Sequence, residues 1–232
     1  MIKQFDELAE KVRRHPMLQL LVYEVAAPAS EDVIAAAQAS LGVPLPNPIA
    51  ALYRIANGLK LTWRVRPDVS ASERGAILSE FRQFQMQPEH VFEIAGNVHL
   101  VSITDALTNP DFALPNADAT ETTFDFMGNS YPDHEFSRML RVFDFIDDFS
   151  GMAFVVQPGL ADWKLMLLTD NWIEYDSSRV TWLKDYLAFT ASTWGLRLAR
   201  TALFSKYRGD REPPLAYDPE LARHLLPRLL RR

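Results

Sequence analysis

The chain has 232 residues, 48% of them hydrophobic and 23% charged, and no cysteine. That is the composition of an ordinary globular domain with enough chain to bury a full core, and it excludes thiolate catalysis, iron-sulfur clusters and sulfur-ligated zinc. Lys and Arg number 24 against 30 Asp and Glu, and the resulting net charge of −6 argues against a general nucleic-acid surface.

Ile2, Phe5, Leu8, Ala9 and Val12 recur at three- and four-residue steps, which predicts a helix ended by His15-Pro16. Charges at Lys3, Asp6, Glu7, Glu10 and Lys11 break this segment, unlike the apolar core of an export signal. With no apolar run near the roughly 18 residues of a membrane helix, a cytoplasmic protein without membrane association is expected. After an apolar segment, Leu18 to Val25, Ser30 is placed to cap a second helix that Gly42 closes. Pro44-Leu45-Pro46 leads to a third helix, with Asn47 as cap and Pro48 in its first turn, which stops at Asn57-Gly58. The period then becomes two: Leu59, Leu61, Trp63 and Val65 alternate with Lys60, Thr62 and Arg64, as in a half-buried strand.

Pro67 to Ser72 is expected to be a loop before a short amphipathic helix carrying Ile77, Leu78, Phe81 and Phe84. Val98 to Ile103 is a predicted strand, followed by a helical turn capped near Thr104. Residues 108–138 show little periodicity and hold three prolines, so they read as a long excursion from the sheet. Met139 to Ile146, Met152 to Gln157 and Trp163 to Leu168 are further predicted strands, and Ser178 is expected to open a long helix with Trp182, Leu183, Tyr186, Leu187, Trp194 and Leu198 inward. Asp218-Pro219-Glu220 opens a last helix bearing Leu221, Leu225, Leu226 and Leu229. Strands in the middle with helices at both chain ends predict an α+β fold around a mostly antiparallel sheet. Residues 1–207 form one domain in this reading, and 208–232 a linker and a basic amphipathic helix.

No Gly-rich loop of the familiar phosphate-binding patterns occurs, no H-E-x-x-H pair could hold a metal on one helical face, and no G-x-S-x-G surrounds a serine. Asp133-His134-Glu135 and Asp144 with Asp147-Asp148 are the best acid/base candidates, although turn and loop chemistry accounts for them as well. Core packing is the expectation for Trp163, Trp172, Trp182 and Trp194, and no cofactor or metal is expected. Charge distribution is more telling. From Asp105 to Asp148 ten acids face only Arg138 and Arg141, a balance of −8, whereas Arg197 to Arg232 holds nine basic residues and four acids. An acidic excursion repels nucleic acid and steers a basic protein toward itself. Asp105, Asp111, Asp118, Glu121, Asp125, Asp133 and Glu135 are therefore the candidate partner-binding residues.

Leu41-Gly42-Val43-Pro44-Leu45-Pro46, then Leu52-Tyr53 and Asn57-Gly58 before a Trp-containing strand, resembles the opening signature of the SUKH superfamily, which includes bacterial immunity proteins and the Smi/Knr-type regulators of fungi. Gln38, Leu59 and Ser150-Gly151-Met152 depart from that family's pattern. The resemblance implies an α+β binding module without catalytic apparatus, which neutralises a cognate toxin domain by direct binding, as monomer or homodimer. A Smi/Knr-type scaffold is the second expectation, and a hydrolase using Asp133, His134 or Asp147 the third.

Overall fold

A computed structural model of the chain describes residues 2–82, 94–108, 123–147, 150–169, 174–197, 199–200 and 216–231, and these contain eight α-helices and a large antiparallel sheet of seven strands. In chain order they are α1 (Lys3–Arg14), β1 (Leu18–Val25), α2 (Glu31–Leu41), α3 (Asn47–Ile55), β2 (Leu59–Val65), α4 (Ala71–Arg82), β3 (Ala95–Leu100), α5 (Ile103–Thr108), β4 (Thr123–Phe126), β5 (Asn129–Pro132), α6 (Asp133–Met139), β6 (Leu140–Phe145), β7 (Gly151–Val155), β8 (Lys164–Thr169), β9 (Glu174–Trp182), α7 (Leu183–Ser192) and α8 (Pro219–Leu225), followed by a 3-10 turn (Arg228–Arg231). The sheet runs β1-β2-β3-β6-β7-β8-β9, and β4-β5 is a separate hairpin inserted between its two halves in sequence.

Helix starts follow the capping chemistry. Ser30 Oγ accepts from Val33 N at 3.3 Å, Gly42 closes α2 at φ 73°, and Asp218 Oδ1 accepts from Glu220 N and Leu221 N. In α3 the N-cap is Pro46, which makes no side-chain cap bond, so Asn47 is already the first helical residue. α4 is longer than periodicity predicts because Ser70 and Glu73 form a capping box: Ser70 Oγ accepts from Glu73 N at 3.2 Å, and Glu73 Oε2 accepts from Ser70 N at 3.2 Å. β3 starts at Ala95, earlier than expected, and Ser102 rather than Thr104 heads α5 by accepting from Asp105 N.

The largest difference lies at Ser178. That residue falls within β9, which pairs with β8 through Val180↔Met166, Thr181↔Leu165 and Trp182↔Lys164, and the helix begins only at Leu183. Val180, Thr181 and Trp182 are β-branched or aromatic, and the ladder outweighs the capping tendency of a serine. Trp194 and Gly195 lie beyond α7 with φ of 60° and 64°.

Two cores form, one on each face of the sheet's second half. Phe5, Leu8, Ile34, Leu52, Ile103 and Leu187 pack under the helices against Leu61, Val98, Met152 and Leu165. On the reverse face Phe126 and Phe136, from the unit β4-β5-α6, pack on Leu140, Val142, Ala153, Val155, Met166 and Leu168. Burial on both faces explains why β7 and β8 are continuous apolar runs while β2 alternates. The C-terminal helix docks on the domain, with Ala222, Leu225, Leu226 and Leu230 inside the helical core and Arg228 N donating to Glu80 Oε2 at 2.9 Å.

Gly96 sits where β3 meets the Trp63 indole, and a methyl group there would collide with the Trp63 ring and stand 2.6 Å from the Trp194 carbonyl. Gly96→Ala is expected to cost about 1–3 kcal/mol through overpacking. Urea unfolding at unchanged m-value is the check, and an unaltered midpoint would contradict the close approach.

Candidate functional site

The sheet is nearly split between β3 and β6, where the ladder holds only Leu100↔Asp144. A β-bulge between Val142 and Asp144 turns Asp144 to the helical face, opposite Met152. There its Oδ1 accepts from His99 N at 2.8 Å, and its Oδ2 accepts from the Tyr186 hydroxyl at 2.5 Å and from Arg200 Nη1 at 2.8 Å. Arg200 Nη1 also donates to the Tyr186 oxygen at 2.9 Å, and its Nη2 donates to the Asn97 carbonyl and, at 3.5 Å, to that of Gly195. Asn97 Nδ2 reaches the Phe145 carbonyl at 2.9 Å, and Trp63 Nε1 donates to the Trp194 carbonyl at 2.6 Å. The side chains thus supply the partners that a second full ladder would have supplied.

Asp144 and Arg200 are both 0% exposed. Burial raises the Tyr186 phenol above its ordinary range, with Asp144 adding to the effect against Arg200. Burial works against the Arg200 cation, but Tyr186 and Asp144 together hold its pKa above the usual value. A carboxylate, phenol and guanidinium in contact would suit proton transfer, yet these reach no solvent and act as an internal cross-link of the sheet. The acid/base candidate Asp144 is therefore a structural residue, and its partners Tyr186 and Arg200 went unread because nothing local in the sequence links positions 42 and 56 residues apart.

The other candidates fall in separate places. Asp147 pairs with Arg197 at 2.5 Å beyond the end of β6, whereas Asp133 and His134 stand in α6 before its start. A six-residue strand spans roughly 20 Å, so these residues are not assembled into one centre. No group of three His, Asp or Glu among the described residues could hold a metal ion. Of the seven acidic binding candidates, Asp111, Asp118 and Glu121 lie outside the described residues. Asp105 lies in the first turn of α5 and accepts from Ser102 Oγ at 2.7 Å, on the helical side of the sheet. Asp125, Asp133 and Glu135 share the β4-β5-α6 unit on the opposite side: Asp125 is opposite Ser130 in the hairpin, Asp133 opens α6, and exposed Glu135 lies 4.0 Å from His134 Nε2.

Sequence reading missed the tip of that hairpin. Met127 is 50% exposed at φ 52°, followed by Gly128 at φ 82°. Two positive φ angles define the tight hairpin turn that favours Asn-Gly, so a methionine there is held in a strained left-handed conformation. Beneath it Phe124, Phe126 and Tyr131 surround Phe136 with ring centroids 4.4, 5.2 and 5.8 Å away. Of the four tryptophans expected in the core, Trp163 is 1% exposed, Trp182 and Trp194 are half-buried, and Trp172 lies outside the described residues. Compared with family models, curated proteins and solved structures, the chain matches none.

Removing one partner of the seam is expected to leave a buried charge uncompensated. Arg200→Met alone should cost about 3–5 kcal/mol, and the pair Asp144→Leu with Arg200→Met should recover part of it; a double variant as unstable as the sum of the two single variants would contradict the cross-link. His99 gives a second check. Burial first, and then Lys60, lowers its pKa from 6.5, with Asp144 and Asp105 opposing. A depressed histidine contributes stability above the unfolded pKa that is lost as pH falls through the native one. His99→Gln should flatten the loss of stability measured from pH 6.5 downward.

Proposed function

We propose that this protein is a non-catalytic binding module of the immunity type, which neutralises a cognate toxin domain by docking on it through the β4-β5-α6 unit. The observation that carries this reading is Met127, a large apolar side chain held half-exposed at a strained hairpin tip. Strain of that kind costs about 1 kcal/mol and persists where it serves a purpose other than stability. Asp125 stands two residues before it, and Asp133 and Glu135 follow at the base of the same hairpin, so the unit carries carboxylates along with its apolar tip. A basic partner is drawn in by the charge and anchored by the methionine. The aromatic cluster beneath presents the tip on a stiff base, which lowers the ordering cost of association.

The test is affinity capture with the tagged full chain at low salt, comparing wild type, Met127→Asn, and Asp125→Lys with Glu135→Lys. One stoichiometric partner with a basic domain, encoded beside this gene, is expected from the wild type, with retention reduced at least about tenfold in both variants. Met127→Asn should meanwhile unfold at higher urea concentration, since Asn tolerates the left-handed region. Equal retention by all three proteins would overturn the docking surface, and many weak partners would favour a scaffold over immunity.

A further inference from the structure

The C-terminal elements and α1 enclose a second feature, a cavity of about 590 Å³ on the helical side. Its walls carry Lys11 and Arg14 from α1, Arg223 from α8 and Arg231 from the 3-10 turn, and no carboxylate. In a chain of net charge −6 this is a local reversal. Arg14 has only Glu10, at 3.8 Å, while Lys11, Arg223 and Arg231 make no ion pair among the described residues. All four side chains are exposed, and together they give the cavity a positive potential that favours an anion.

His15 adds a directional group. It is 7% exposed and lines the cavity; its Nδ1 accepts from Met17 N at 3.2 Å, which assigns the proton to Nε2. That Nε2 makes no hydrogen bond of good geometry; burial lowers the ring's pKa, and the Leu229 backbone carbonyl beside it raises it. Trp194 supplies a ring. Its φ of 60° is unfavourable for a bulky residue, yet the Trp63 indole holds its carbonyl at 2.6 Å, and its side chain forms part of the wall, 5.8 Å edge-on from His15. Tyr217 is fixed beside it, its N–H donating to Asp185 at 2.9 Å and its hydroxyl 2.7 Å from Ser192 Oγ.

We propose that this cavity binds a phosphorylated small molecule with a planar ring, of the nucleoside phosphate class. The cations meet the phosphate oxygens, and Trp194 with Tyr217 meets the ring. Guanidinium groups suit phosphate because they offer paired donors in one plane, and four cations call for more charge than a single carboxylate carries. The volume falls within the range of small-ligand pockets. Side chains here replace the glycine-rich loop that the sequence lacks.

Titration calorimetry of the full chain with adenosine diphosphate, adenosine and inorganic phosphate tests this. Saturable binding of the diphosphate is expected, with adenosine and inorganic phosphate each at least about tenfold weaker. Lys11→Glu and Arg223→Glu alter exposed side chains and should preserve the unfolding midpoint while weakening the diphosphate at least about tenfold. Trp194→Asn keeps a residue tolerant of the left-handed conformation and should weaken it similarly. Absence of saturable binding, affinity unchanged in the charge variants, or inorganic phosphate binding as tightly as the diphosphate would each overturn the proposal. The docking reading is independent, since its variants lie in the hairpin unit on the reverse face.

Discussion

The buried contact of Asp144 with Arg200 is the constraint on which the architecture rests. A seven-stranded antiparallel sheet would ordinarily be joined by full ladders at every seam, but between β3 and β6 one residue pair is all that remains. Exposed edges within a sheet are costly because their amides and carbonyls need partners. Here the partners come from side chains: a carboxylate takes the His99 amide, a guanidinium takes the Asn97 carbonyl, and the Asn97 amide group takes the Phe145 carbonyl. Neither charge would be tolerated alone in a fully dry interior; the Tyr186 hydroxyl bridges them, while Arg200 Nε has no hydrogen-bond partner.

That arrangement also divides the molecule by role. The helical face is fully occupied by α1, α2, α3, α5, α7 and the C-terminal helix, so the sheet's second half turns its other face toward the β4-β5-α6 unit. Residues 123–139, the described part of a long insertion with weak periodicity, cover a second core. Phe124, Phe126, Tyr131 and Phe136 face that core, while Asp125 and Glu135 stand outside it.

How much of this is legible in the sequence depends on whether the signal is local. Caps at Ser30 and Asp218, the turn at Gly42 and the alternation of β2 are all written within a few residues, and each appears in place. Ser178 misled because a capping residue and a strand residue look alike until β8 is present to pair with β9. The capping box at Ser70 and Glu73 was available in sequence and was masked by the loop-like Pro67 to Ser72. Asp144 was recognisable as a candidate, but its role was not, because bulge geometry and a cation 56 residues later decide it. The acidic segment predicted a charged surface and did not foretell that Asp105 would stand on the other side of the sheet from Asp125, Asp133 and Glu135.

Arg200 meets Asn97 across 103 residues of chain. A polypeptide emerging from the ribosome therefore carries β1, β2 and β3 as a finished meander well before the residue that secures their inner edge has been made. Until then the growing chain exposes an unpaired strand border of the kind that invites association with other chains. Its assembly must wait for the 103 residues of chain that separate Asn97 from Arg200, a long-range closure of the kind that slows folding.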